Sequence, residues 1–155
     1  MSHRLKLFHR MQVASSALFR AADQRTRAEF DLTTTQLAVL FVLSRDDGLP
    51  ISEIARTLAM GKSSLTGLVD RMCHKGLVRR CPSPEDGRIT LVVLQPDGRA
   101  LLERGIRETR KFNQALLAPF DRAEQDIIQR FLSHLAENAH DIINADSIAM
   151  RDTDA

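Results

Sequence analysis

The sequence predicts a mostly α (α+β) fold in which one β-hairpin is set among helices. Three observations predict it. Apolar residues recur at helical spacing through most of the 155 positions. Two capping-box pairs, Thr33 with Gln36 and Asp121 with Glu124, mark helix starts. One Pro- and Gly-containing break, Cys81 to Gly87, separates two short runs that read as strands. With 43% hydrophobic and 27% charged residues, the chain has the balance of a packed globular protein rather than a disordered one. The longest apolar run, Leu37 to Leu43, is too short to span a bilayer. No apolar stretch with a cleavage site follows the first residues, and there are two cysteines. The expectation is therefore a cytoplasmic chain without membrane contact or a disulfide framework.

Residues 4–29 contain no Gly or Pro and read as a long helix, with Leu5, Phe8, Val13, Ala17 and Leu18 as a broad apolar stripe. Asp31-Leu32-Thr33 breaks it, and the Thr33 box opens a second helix with Leu37, Leu40, Phe41 and Val42 on its apolar face. Arg45 to Pro50 is a loop signal. Ser52 is the expected N-cap of a short helix that buries Ile54, Ala55 and Leu58. Met60-Gly61-Lys62 reads as a tight break. A helix follows over about 63–75, with Leu65, Leu68, Val69 and Met72 as one stripe and Gly76 as its C′ residue. Leu77 to Arg80 is a first strand, Cys81 begins the loop, and Arg88 to Leu94 is a second strand. Pro96 opens a helix through about Leu117, interrupted by Gly98 and Gly105. Pro119 ends it. The Asp121 box starts a last helix carrying Ile127, Ile128, Phe131, Leu132 and Leu135, and a polar tail follows from about Asp146. The middle elements, in order, describe a winged helix-turn-helix.

The net charge of +2 hides its distribution. Residues 60–90 carry six Lys/Arg against three acids, whereas 121–155 carry three against eight. A local basic surface is what phosphate binding requires. On the 63–75 helix the outward residues near the start are small hydroxyls, which let the backbone approach a duplex. Ser63, Ser64 and Thr66 are candidates for phosphate or base-edge contact. Arg71 has the reach for a guanine O6/N7 pair or a phosphate. Lys62 and Lys75, at the helix ends, suit phosphates. In the hairpin, Arg79, Arg80 and Arg88 add charge, and an arginine at the loop tip suits a narrow minor groove. Asp86, two residues from Arg88, is placed to hold its guanidinium.

There is no nucleotide-binding glycine loop, nucleophile elbow or zinc-hydrolase motif, so an enzyme is not expected. No cofactor is expected. Cys73, His74 and Cys81 lack metal-ligand spacing, so no metal is expected either. A thiol switch would need an exposed, acidified cysteine. Arg79 and Arg80 stand beside Cys81, which keeps a redox-responsive regulator as the alternative. A winged helix used only for protein contact would not need this set of cations.

The stretch from Leu49 to Leu102 resembles the MarR family of bacterial regulators. The resemblance is carried by ISEIARTL, by SSLTGLVDRM followed by KGLVRR, and by DGRITLVVL followed by GRALL. It implies a homodimer, with an N-terminal dimerisation helix over 1–32, a DNA-binding lobe over 33–95, C-terminal dimerisation helices over 96–146 and a flexible tail over 147–155. It implies a pseudo-palindromic duplex operator read by two lobes and a small aromatic or phenolic effector that weakens DNA binding. It makes Arg88 the wing arginine and Asp86 its partner. Gly67 stands where many members carry Arg, and Gln95 where Thr commonly caps the next helix. With no Trp or Tyr, an effector pocket would use Phe, Met, His and Arg.

Overall fold

The computed structural model describes residues 7–45 and 48–149. The elements run α1 (Leu7–Phe30), α2 (Thr34–Leu43), β1 (Leu49–Pro50), α3 (Ile51–Thr57), α4 (Lys62–His74), β2 (Val78–Pro82), β3 (Thr90–Leu94), α5 (Pro96–Leu117) and α6 (Arg122–Ala149). Most of the expected tail, like residues 4–6 of the expected first helix, lies outside the described residues. The chain divides into two compact units, Met1–Glu108 and Thr109–Ala155.

The first unit holds the core. Leu32, Val39, Leu40, Leu43, Ile54, Leu65, Val69, Met72, Val78 and Val92 are fully buried there. The central α2 is apolar on nearly every side, as a helix covered by its neighbours must be. The Thr33 box forms as read: Gln36 N donates to Thr33 Oγ1 at 3.1 Å and Thr33 N to Gln36 Oε1 at 2.9 Å. The junction before it is braced by Asp23. Its carboxylate accepts Thr34 N at 2.8 Å and Arg27 Nε at 2.7 Å, contacts that hold its pKa below the usual carboxylate range.

The sheet is antiparallel in the order β1-β3-β2. Val78 pairs with Leu94, Arg80 with Val92 and Pro82 with Thr90. Leu49 and Pro50 add a third strand on the other edge of β3. That strand was not expected, because two residues, one of them proline, carry no periodic signal. At a sheet edge, however, proline's missing N–H removes no ladder bond. This pairing also corrects the expected cap of α3. Pro50 leaves the strand at φ −61°, ψ 146° and is itself the N-cap, so Ser52 already lies inside the helix and makes no capping bond. A second correction concerns Cys81, which lies in β2 opposite Leu91, not in the loop. Arg88 precedes β3 and belongs to the loop.

The turn between α3 and α4 departs from its reading in a useful way. Ala59 N donates to Arg56 O at 3.2 Å and Met60 N to Ala55 O at 2.9 Å, a Schellman ending for α3. The left-handed residue is Ala59, at φ 50°, while Gly61 is extended and serves as N-cap of α4. Alanine in that region costs about 1–2 kcal/mol relative to a right-handed residue. After allowing for glycine's greater freedom in the unfolded chain, Ala59→Gly is expected to stabilise the protein by about 0.5–1 kcal/mol. Thermal denaturation checks this: an unchanged or lowered midpoint would show that Ala59 is unstrained. At the far end of α4 the same motif recurs with the residue that suits it. Gly76 sits at φ 70°, and Leu77 N donates to Met72 O at 3.0 Å.

In the second unit, α6 opens with the Asp121 box. Glu124 N donates to Asp121 Oδ1 and Asp121 N to Glu124 Oε2, both at 2.9 Å. Large apolar side chains along this unit are exposed, among them Phe112, Leu116, Phe120, Ile127, Leu132 and Ile143. In the first unit, Leu7, Phe8, Val13 and Phe19 on α1 are exposed in the same way. Among the described residues, no helix is long and apolar enough to cross a membrane.

Candidate nucleic-acid interface

The amphipathic α4 turns Leu65, Leu68, Val69 and Met72 into the core. Its other side therefore faces outward by helical geometry. Lys62, Ser63, Ser64 and Arg71 are exposed there, and Gly67 leaves a patch of bare backbone between them. Thr66 is half-buried, and its hydroxyl donates to Lys62 O at 2.8 Å, which leaves only acceptor capacity and a methyl group for anything outside. At the start of the helix no side chain caps Gly61, so the first-turn N–H groups are open, with the positive end of the helix dipole behind them.

The cations sort by their partners. Among the described residues, no carboxylate pairs with Lys62, Arg71 or Arg79. Arg80, Lys75 and Arg88 are each paired. Arg80 reaches from β2 to Asp70 on α4 at 2.9 Å and extends to Thr66 O at 3.5 Å. This contact places Arg80 on the α4 side of the hairpin. Successive strand residues point to opposite faces, so Arg79 points away from α4 and does not act alongside Arg80. Lys75 donates to Asp31, to both its carboxylate (2.7 Å) and its main-chain carbonyl. Neither partner has a local signal in the sequence: Asp70 is ten residues from Arg80 and Asp31 is 44 from Lys75.

The wing is a tightly bonded loop. Ser83 N donates to Ile89 O at 2.8 Å and Ile89 N to Asp86 O at 2.9 Å. Asp86 Oδ1 accepts from both Arg88 N and Arg88 Nε at 3.0 Å, and Oδ2 accepts from Arg88 Nη2 at 3.0 Å. The Arg88 side-chain and main-chain bonds hold the Asp86 carboxyl below its ordinary range. The guanidinium is thus fixed in direction while the side chain as a whole remains 91% exposed. An arginine held rigid yet exposed is poised for an external anion.

The cysteines offer no comparable arrangement. Burial pushes the Cys73 thiol pKa up, the direction that keeps a thiol protonated and unreactive. Cys81 is half-buried in β2. Among the described residues, no group of three His, Cys, Asp or Glu side chains is placed to hold a metal ion.

Comparison with known proteins gives this geometry a lineage. A model of the MarR family matches residues 30–89, from the end of α1 to the wing. The chain is 32% identical over 115 residues to the HTH-type transcriptional repressor IacR of Pseudomonas putida, covering 74% of this chain and 69% of that one. Among solved structures it is similar to the Streptomyces coelicolor transcriptional regulator PcaV in complex with its natural ligand (28% identity, TM-score 0.69, 90% of this chain and 95% of that one). Its fold also matches S. aureus MepR, solved in complex with DNA (21% identity, TM-score 0.79, 90% of this chain and all of that one). The winged helix-turn-helix built from α2 to β3, the family match over residues 30–89 and the match to IacR over 74% of the chain make this protein a transcriptional regulator of the MarR family.

Proposed function

We propose that the protein is a homodimeric repressor that binds a pseudo-palindromic duplex operator and is released by a small aromatic or phenolic acid. One observation carries the DNA part of this reading. The outer face of α4, where Ser63 and Ser64 are exposed and Lys62 and Arg71 have no carboxylate partner among the described residues, lies in the same unit as a wing whose arginine is held outward by Asp86. On this reading α4 enters the major groove, which is about 12 Å wide. Ser63 and Ser64 approach the backbone at the helix start with Lys62 on a phosphate, Thr66 adds its methyl group, and Arg71 reads a base edge or a phosphate. Arg88 enters the neighbouring minor groove. Arg79 serves a phosphate from the outer face of the hairpin. The DNA complex of MepR supports this, as do the naming of IacR as a repressor and the ligand-bound PcaV for release.

The dimer rests on the exposed apolar residues of α1 and of the second unit. So many large apolar side chains left in water call for a covering partner, and a second copy supplies matching faces. The test is a selection of bound sequences from random duplex DNA, followed by salt titration of the winner. Enriched sites are expected to be two-fold symmetric, with half-sites about 10 base pairs apart. Affinity is expected to fall by about 10³-fold between roughly 50 and 200 mM salt, because neutralised phosphates release counterions. Absence of enrichment, or retention insensitive to salt, would reject the reading.

A further inference from the structure

We propose that Lys75 and Asp31 form a latch that positions the recognition helix, so that Lys75 acts through Asp31 rather than as a phosphate ligand. The inference rests on the reading of α4 as the DNA-reading helix.

Lys75 is the C-cap of α4, and Gly76 immediately turns the chain into the wing. Its ammonium donates to the Asp31 carboxylate and to the Asp31 carbonyl. Two of its three protons are therefore engaged. The pair is locally neutral and offers no net positive charge to a duplex. Asp31 is an unusual residue in its own right. It stands at φ 54°, with its N–H bonded to Arg27 O at 3.0 Å, so it ends α1 in the left-handed region where glycine is the cheaper choice. The last carbonyls of α1 carry the negative end of that helix's dipole, which favours an ammonium there. An aspartate kept at such a position supplies a second, charged acceptor that glycine would lack.

The anchor itself is firm. Three residues on, the Thr33 box starts α2, and Asp23 ties Thr34 N back to α1. Lys75 thus joins the distal end of α4 to a braced corner of the core, while Arg80 joins the flank of α4 to the wing through Asp70. These two ion pairs link helix, wing and corner. A shift at the α1–α2 corner would be carried to α4 through this contact.

The two possible roles of Lys75 predict effects of opposite sign. If Lys75 bound a phosphate, Asp31→Asn would remove the negative charge that neutralises its ammonium, and binding would tighten. If the latch positions α4, the same change weakens binding. The experiment measures affinity of the full chain for the duplex chosen by selection, at several salt concentrations, with thermal melts of every variant. Asp31→Asn and Lys75→Met are each expected to weaken binding about three- to tenfold, as loss of an exposed ion pair in each of two lobes allows. The double variant should be no weaker than Lys75→Met, since losing the ammonium already removes both of its bonds to Asp31. The salt slope should stay unchanged, and Lys75→Arg should restore affinity. Asp31→Gly relaxes the backbone yet should weaken binding as Asp31→Asn does, which separates the latch from strain. Tighter binding by Asp31→Asn, or a salt slope reduced by about one phosphate per lobe in Lys75→Met, overturns the latch and leaves the DNA reading standing. A wild-type protein that retains no duplex overturns both.

Discussion

Replacing Gly98 with alanine is expected to destabilise the protein by about 2 kcal/mol or more, although alanine is the better helix former. A Cβ added at Gly98 would lie 2.1 Å from the carbonyl oxygen of Leu77 and 3.0 Å from its carbon. Both groups are main chain, so no rotamer change relieves the clash. The same oxygen accepts Gln95 N at 2.9 Å, the bond that seats the start of α5 on the start of β2. Moving α5 outward would therefore break that bond and open the core around the buried Leu77, Val78 and Leu94. Against this, the helix-propensity gain is only about 1 kcal/mol. Chemical denaturation provides the measurement, and a midpoint equal to or above that of the parent protein would refute the close-contact account. Two internal controls sharpen it. At Gly105 the added atom would meet Leu37 Cδ1 at 2.7 Å, the far end of a side chain that can turn, so the loss there should be smaller. At Gly67 it would meet only Arg71 Nη1 at 3.8 Å, an ordinary contact, and Gly67→Ala should be neutral or stabilising.

These glycines show where the sequence was readable and where it was not. Gly98 and Gly105 read as mild interruptions of a helix because their partners, Leu77 and Leu37, are 21 and 68 residues away. Features whose cause is local could be seen in advance. The Thr33–Gln36 and Asp121–Glu124 boxes join residues three apart, Gly76 ends α4 through bonds to its own last turn, and Asp86 lies two residues from Arg88. Those contacts follow from residue type and spacing alone. Features whose cause is tertiary could not be seen. The strand at Leu49–Pro50 exists only because β3 presents an edge to it. The left-handed conformation falls on Ala59, with glycine two positions on, because the Schellman bonds to Ala55 and Arg56 require it there. The same limit applies to the interface. Its cations could be counted from the sequence, but which of them are already paired depends on Asp31 and Asp70, and only the folded chain brings those acids to Lys75 and Arg80.

Arg88→Ala is expected to weaken operator binding by about 10- to 100-fold, the loss of one arginine contact from each of two wings. A solvent-exposed arginine carries about 2 kcal/mol of side-chain rotamer entropy that binding must suppress. Here two side-chain hydrogen bonds from Arg88 to Asp86 have already restricted it, while the side chain stays 91% exposed. Much of the ordering cost therefore falls on folding rather than on association. Asp86→Ala then becomes the informative companion. It removes an acid from the wing, which on charge alone would tighten binding to a polyanion. Loss of the restraint should instead weaken binding, by less than the loss of Arg88 itself. Because both residues belong to one unit, the double variant should bind like Arg88→Ala alone. The salt dependence separates the two effects: Arg88→Ala should lower the slope by about one ion per wing, whereas Asp86→Ala should leave it unchanged. Arg88→Lys keeps the charge but not the planar fork that Asp86 grips, so it should recover the slope without recovering the affinity. If Arg88→Ala binds the selected operator as tightly as the parent protein, the wing does not touch DNA, however well Asp86 holds it.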